Sequence, residues 1–431
     1  MTDRSRIWLF VAASLLAAPQ TLLAQAPAST AVSQPPPALE DTIDAAESED
    51  PTPRQRQFTH WNEYDGPLFS LRMGGGVLYD YASYAQDDAS EEQFPDLEPD
   101  GKLRDFRVLF RGALKFKRKT TWSAGVMYDA ANEKWALRQT GIMVSVPEIW
   151  GDIFVGRTKE GFSLNKVMIG YAGWAMERAP MSDASLPILA DGVKWLGYLP
   201  DKHLLWNVGF YGDALSDGQS FSTYENQVSG RIAWLPVVKA EGRKLLHVGF
   251  SARYGKVNNE SLRLRARPGA WPAPYFVDTE PFPADSTTMT GFEIYYRPGP
   301  WTFGSEFFFQ QADAPEAGDP FFHGGEVFAS WIITGETRTY NTRGGYFNQI
   351  APSRSIYGGG PGAWELLVHA TYVDLNDRMV KGGLYWRFTP MLNWYLSEHI
   401  RLEAAYGYGS LDRFSLVGRT HFFQTRLQLT M

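Results

Sequence analysis

The C-terminal stretch from Trp364 to Met431 alternates between apolar and polar positions with period two. Trp364, Leu366, Val368, Ala370 and Tyr372 fall on one face, with Glu365, His369 and Thr371 on the other. Ile400, Leu402, Ala404, Tyr406 and Tyr408 oppose Arg401, Glu403 and two glycines, and Phe423, Thr425, Leu427, Leu429 and Met431 oppose Gln424, Arg426, Gln428 and Thr430. Successive side chains of a strand point to opposite faces, so each run predicts a strand with one face in an apolar medium and one in a polar medium. Runs of about ten such residues, with aromatics at their ends, fit a transmembrane β-barrel. A soluble β-sandwich alternates in the same way.

The remaining pattern separates the two architectures. Strand-like runs fall at 68–84, 103–117, 120–131, 134–147, 149–157, 191–199, 203–214, 222–235, 244–257, 287–297, 300–312, 321–335, 362–375, 378–396, 399–410 and 417–431. Sixteen is an even number, as single-chain bacterial barrels have. With the first strand starting in the periplasm, the connections Lys117–Thr120, Val146–Glu148, Pro200–Lys202, Arg297–Pro300 and Ser397–His399 lie on that side and are short. Those near 85–102, 158–190 and 258–286 lie outside and are long. This sorting predicts an all-β, 16-stranded antiparallel transmembrane barrel with in-folded loops. One connection breaks the rule: Gly335 to Gly360 is long yet periplasmic by parity, so either it folds into the lumen or it hides a further hairpin.

Composition narrows the function classes. The 431 residues contain no cysteine, which excludes disulfides and thiolate metal sites. Beyond the first two dozen residues no apolar run approaches the roughly 18 residues of a spanning helix, so membrane residence requires a barrel. Arg4 and Arg6, an apolar core from Ile7 to Ala18, and small residues near Ala24 and Ala26 predict an export signal over 1–26. Residues 27–66 are a Pro-rich acidic stretch with too little apolar content to fold, expected to be a disordered periplasmic tail. The barrel is expected over 67–431.

Residues 1–57 carry seven of the 48 acids and four of the 41 bases, leaving 41 against 37, a net charge of −4, from Phe58 onward. So mild a charge gives no global attraction for anions and argues against nucleic acid as a partner, so any anion preference rests on where cations are placed.

The sharpest placement is Arg263, Arg265 and Arg267, which spacing of two puts on one face of an extended segment. Same-face neighbours lie roughly 6.5–7 Å apart, within the ~8 Å screening length at physiological salt. Their attractive regions overlap, so an anion can pass along them. Arginine stays protonated and holds phosphate oxygens with two parallel donors. The bland alternative is a solvated or lipopolysaccharide-facing basic loop. In the second strand Phe106, Val108, Phe110, Leu114 and Phe116 take the lipid face, which turns Arg107, Arg111, Lys115 and Lys117 inward. Arg253 faces inward by the same logic, and inward Glu306, Glu365 and Glu403 offset part of the field. The seven histidines show no metal-ligand spacing, and no nucleophile stands beside inward His247 or His369. No enzyme activity, cofactor or metal is expected.

Several segments together resemble the phosphate-selective porin O and P family. They are Val155 to Leu164 followed by Met176-Glu177-Arg178, the run Arg263 to Pro268, Ser330 to Arg338, Gly362 to Leu366 with Val373 to Asp377, and Leu392 to Leu396. The resemblance implies an outer-membrane, 16-stranded, trimeric porin that passes phosphate or related anions among lipid and lipopolysaccharide. It implies an arginine ladder at Arg263, Arg265 and Arg267 leading to a constriction made by in-folded loops, with Lys159 and Lys166 near it. The odd periplasmic segment becomes an inward-folded turn carrying Arg338, Arg343 and Arg354; it lacks the lysines that the family uses to collect the anion. The functional expectation is a passive channel for small anions, phosphate or polyphosphate foremost. A general diffusion porin and an outer-membrane hydrolase are the alternatives.

Overall fold

The computed structural model describes residues 61–129, 133–214 and 224–431. The expected export signal and most of the expected tail lie outside these residues. Sixteen strands form one closed antiparallel barrel: β1 (Ser70–Gln86), β2 (Asp100–Leu114), β3 (Thr120–Asp129), β4 (Thr140–Val146), β5 (Gly151–Thr158), β6 (Ala190–Leu199), β7 (Leu204–Gly212) and β8 (Tyr224–Lys239). They are followed by β9 (Lys244–Val257), β10 (Ser286–Pro298), β11 (Trp301–Asp313), β12 (Phe321–Ile332), β13 (Ala363–Asp377), β14 (Val380–Tyr395), β15 (Ile400–Arg413) and β16 (Leu416–Thr430). Each strand pairs with the next, and β16 closes the ring on β1 from Gly76↔Thr430 to Gln86↔Thr420. Closure leaves no open edge to satisfy in lipid.

At the seam β1 extends past the end of β16. Glu63–Asp65, at the end of the stretch expected to be an unfolded tail, pairs there with Ser70–Arg72 and completes the ladder. One end of the barrel carries short turns, among them Pro147–Trp150 and Pro200–His203, each ending on a left-handed residue. The opposite end carries the long connections 87–99, 159–189 and 258–285. The expected alternation of long and short is incomplete, because Arg378–Met379 and Phe414–Ser415 at the loop end are tight hairpins.

The period-two reading sets the radial order. In β16 Phe423, Leu427 and Leu429 are exposed while Gln424, Arg426 and Gln428 are buried, so charge is inside and hydrocarbon outside. At the turn end Trp301 stacks on Trp331 with ring centres 5.2 Å apart, and Trp364 on Trp394 at 4.7 Å, forming part of the aromatic belt expected at a membrane interface. Parity fails at one informative place. The β1–β2 ladder jumps from Leu78↔Asp105 to Tyr79↔Leu103. The extra residue is Arg104, which the bulge turns inward onto Glu177.

Lys115 also departs from expectation. It follows the last residue of β2, is exposed, and pairs with Asp65 at 2.7 Å at the turn end, so it does not line the lumen. The strand has already ended there, and parity has no meaning beyond its last ladder bond.

Candidate functional site

Three pieces of chain fold into the lumen, and the first is the loop 159–189. Its short helix Leu164–Val167 is pinned by inward carboxylates from three neighbouring strands. The Leu164 N–H donates to Glu293 at 2.7 Å, the Asn165 N–H to Glu306 at 2.9 Å and the Asn165 side-chain amide to Glu326 at 2.6 Å. The Ser163 hydroxyl also donates to Glu306. The first turn of a helix has free N–H groups, and carboxylates satisfy them well. Arg231 and His247 balance Glu293 from behind, and His369 meets Glu326 at 2.8 Å.

From this anchor the loop crosses to the opposite wall. Tyr171 packs against Gly76, where a Cβ would come within 2.6 Å of the ring, so this strand position requires glycine. Trp174 stacks on Phe328 with ring centres 4.3 Å apart. Glu177 accepts from Arg104 at 2.7 Å and from Arg426 at 2.6 Å. Burial alone would raise this carboxyl, but the two guanidiniums outweigh it and hold it at about 2.

The second piece is the long connection at the turn end, 333–362. It folds into the lumen, the first of the two expectations for it, and the small hairpin it contains, Tyr340–Asn341 against Tyr346–Phe347, is a separate sheet that adds no strand to the barrel. Arg338 donates to Ala172 O of the first loop at 3.1 Å and pairs with Glu365 at 2.9 Å, with both side chains fully buried. Tyr340 meets His247 at 2.7 Å, and Arg231 donates to Gly345 O at 2.8 Å. The loop from one end and the turn from the other thus interlock in the middle of the barrel.

The third piece is the loop 258–285, which lies across the loop end. Leu262, Leu264 and Ala266 are buried in an apolar cluster, and the alternate residues Arg263, Arg265 and Arg267 share the other face. Arg263 forms a bidentate pair with Asp278 at 2.8 and 2.6 Å and lies 3.1 Å from Glu280. Arg265 lies over the Tyr275 ring at 4.3 Å, and Arg267 over Tyr275 at 4.2 Å and Trp271 at 4.5 Å. The loop then reaches the far wall. Arg387 donates to Pro268 O at 2.5 Å, and Gln424 donates to Gly269 O at 3.2 Å.

Between the first and third pieces and the wall of β13–β16 lies a cavity of about 320 Å³ including its open mouths. Its polar lining residues include Arg178, Arg387, Gln424, His369 and Thr389. Its apolar lining residues include Met176, Pro180, Met391 and Ala405. Among the described residues, Arg387 has no carboxylate partner, and Arg178 forms no direct ion pair, although Asp183 and Glu177 lie near it. Arg178 donates only to the Asn165 and Met168 carbonyls, at 3.0 and 3.4 Å. Arg387 donates to Pro268 O and to the Gln424 amide oxygen, and stacks on Phe422 at 4.5 Å. Each guanidinium carries five N–H donors, so these bonds leave three on each unused, although the Nε–H of Arg387 is shut off from solvent. Gly407 makes room for Arg387, whose Nε would lie 2.3 Å from a Cβ at that position.

Of the residues that the sequence singled out, Arg107, Arg338 and Arg343 are paired with carboxylates instead. Arg107 pairs with Asp105 and lies over Tyr171. Arg111 sits opposite Arg72 in the ladder. Arg343 pairs with Asp152 at 2.6 Å. Lys159 donates to Met168 O at 2.6 Å and Lys166 to Leu186 O at 3.0 Å, so both help shape the loop itself. Burial pushes the Lys166 ammonium down to about 8 despite nearby Asp183. Arg387 was within reach of parity, since Trp386 and Phe388 face out. Arg104, displaced by a bulge, was not.

Comparison with known proteins agrees with this architecture. The family model described as phosphate-selective porin O and P matches residues 71–431. An uncharacterised protein of Caulobacter vibrioides is 33% identical over 204 residues, 45% of this chain and 40% of that one, so this similarity spans less than half of either. Among solved structures, an anion-selective porin from Comamonas acidovorans superposes with a TM-score of 0.54 at 12% identity, covering 84% of this chain and all of that one. A trimer form of OmpT, an outer membrane protein of Vibrio cholerae, gives 0.53 at 10% identity over 84% of this chain and all of its own. At such identities the likeness is one of fold.

Proposed function

The chain belongs to the phosphate-selective porin O and P family and is a channel-forming barrel of the bacterial outer membrane, and from that premise we propose that it passes small anions passively, phosphate or polyphosphate foremost. The observation that carries this reading is the placement of unneutralised cations. Arg265 and Arg267 lie on a loop across the mouth, over the rings of Tyr275 and Trp271, and Arg267 donates to Trp271 O. Arg387 and Arg178 follow inside, beside the cavity. Lumen acids, by contrast, are largely committed: Asp80 and Glu177 to Arg426, Glu365 to Arg338, Glu403 to Arg401, and Glu160 to Arg253.

In this reading Arg265 and Arg267 collect the anion outside, and Arg263, the third member of the stripe, is held by Asp278 and Glu280 and keeps the loop in shape. Arg387 and Arg178 filter it, and the paired cations Arg107, Arg338 and Arg343 hold the filter in place. Lys159 and Lys166 add positive field to the constriction loop. An arginine already neutralised by a carboxylate gives an ion little, whereas one held by carbonyls keeps its full charge. The export signal over 1–26, a periplasmic tail and a homotrimeric assembly belong to the same proposal. The family and the trimeric neighbour support the trimer.

Reversal potentials in planar bilayers under a salt gradient test it. Anion selectivity is expected in the wild type, reduced when Arg263, Arg265 and Arg267 are replaced together by Ala. Cation selectivity, or a triple variant identical to wild type, refutes the role of the stripe. Unheated electrophoresis tests the trimer.

A further inference from the structure

We infer that Tyr275 and Trp271 are positioning residues of the anion path: each ring holds two guanidiniums within reach of one oxyanion, so that the mouth favours oxyanions over chloride. The inference rests on the anion-channel reading and names what orders its solutes. Two observations carry it.

The first is how Arg265 and Arg267 stay charged. Arg265 and Ala266 pair with Asp278 and Val277 in a two-residue ladder, so Arg265 stands directly opposite a carboxylate. Both oxygens of that carboxylate are already taken: they accept from Arg263 at 2.8 and 2.6 Å, and one also accepts from the Glu280 N–H at 3.1 Å. Arg265 lies over the Tyr275 ring instead, as does Arg267. Among the described residues neither forms an ion pair with a carboxylate. A ring attracts a cation through its quadrupole and leaves the charge in place for a solute.

The second is that the rings are shared. The guanidinium carbons of Arg265 and Arg267 lie 4.3 and 4.2 Å from the centre of Tyr275, which puts them at most about 8.5 Å apart. Those of Arg267 and Arg104 lie 4.5 and 4.1 Å from the centre of Trp271, at most about 8.6 Å apart. Like charges at such spacing repel, and a ring attractive to both opposes their separation. Trp271 is itself fixed to the wall. Its indole N–H donates to Leu103 O at 3.3 Å, and Lys102 donates to Pro272 O at 3.0 Å. The row runs inward from exposed Arg265 through half-buried Arg267 to Arg104, which pairs with Glu177 of the loop 159–189. The forked donors of arginine match the paired oxygens of an oxyanion, whereas chloride offers one acceptor centre and gains from the charge alone.

The readout is the phosphate concentration that halves the single-channel chloride current of the purified full-length protein, in mildly acidic buffer where phosphate carries one charge, as chloride does. Tyr275→Leu is expected to raise it about two- to fivefold, the strength of one exposed cation–ring contact, and Trp271→Leu is expected to do the same. Neither removes a charge, so the reversal potential in a potassium chloride gradient is expected to stay near the wild-type value. Tyr275→Phe keeps the ring and is expected to keep the wild-type phosphate value. Arg265→Lys with Arg267→Lys keeps both charges but not the forks, and is expected to raise that value at least as far as Tyr275→Leu. The inference is overturned, and the channel reading left intact, if phosphate does not block an anion-selective wild type or if a folded Leu variant blocks as the wild type does. It is overturned equally if the Phe variant loses as much as the Leu variant, if the Lys pair behaves as wild type, or if Tyr275→Leu shifts the reversal potential as far as Ala at all three stripe arginines. A cation-selective wild type overturns the channel reading itself.

Discussion

Replacing Arg387 by Gln removes one positive charge that no carboxylate balances, while keeping a polar side chain that can still reach Pro268 O. Arg387 lines a cleft in the lumen, and an ion passing beside it comes within about 5 Å of the guanidinium, roughly a contact pair. At that separation a unit charge contributes about 1 kcal/mol at the dielectric constant of water and about 3 kcal/mol at an effective value near 20. The cavity is open to solvent, so the lower figure governs, and it corresponds to a roughly fivefold loss of a monovalent anion from the filter. A potassium ion gains by the opposite sign. The ratio of chloride to potassium permeability is therefore expected to fall by at least about fivefold, and the effect on a dianion is expected to be about the square of that. The assay is the reversal potential of the reconstituted variant at low and at high salt, with heat-modifiable mobility on gels confirming a folded barrel. Screening with a ~10 Å length at 0.1 M and ~3 Å at 1 M weakens the effect of the mouth arginines more than that of Arg387, which acts at contact. A folded Arg387→Gln barrel with the wild-type permeability ratio refutes the assignment of the filter to unneutralised guanidiniums.

Arg338→Gln acts differently, because it strands the fully buried Glu365; a loss of about 3–5 kcal/mol in urea unfolding is expected, and a neutral result would mean that the interlock does not support the barrel. Lys166 gives a pH test. Its folded value of about 8 lies below the reference 10.5, so both states are protonated below pH 8 and the penalty of the buried ammonium is fully present there. Between pH 8 and 10.5 the folded state alone releases the proton, and stability rises with pH, by up to about 3 kcal/mol. Lys166→Met is expected to remove that part of the rise in urea midpoint, and identical slopes in variant and wild type would refute it. Val327→Arg, on the exposed face of β12, is expected to cost about 2–4 kcal/mol in lipid; a substitution without cost in vesicles would place that face away from hydrocarbon.

Which side of the wall a residue occupies was legible in the sequence. Glu365, Arg253, Arg426 and Glu306 are inward and Leu366, Leu427 and Phe423 outward, as period two required, because the direction of a side chain on a strand is fixed by its own position and its neighbours. The stripe Arg263, Arg265 and Arg267 was legible for the same reason. Which cations remain charged toward a solute was not. Arg338 finds Glu365 and Arg426 finds Asp80, a partner 346 residues away in the chain. Arg104 reaches Glu177 only through a one-residue bulge. Neutralisation depends on a few ångströms between groups distant in sequence, and only the closed barrel with its loops folded inward sets those distances. The sequence by itself determined the wall and its two faces through local geometry; the tertiary structure alone decided that Arg387, rather than the more conspicuous Arg107 or Arg343, stands without a carboxylate partner beside the opening, because charge balance is a property of contacts across the lumen.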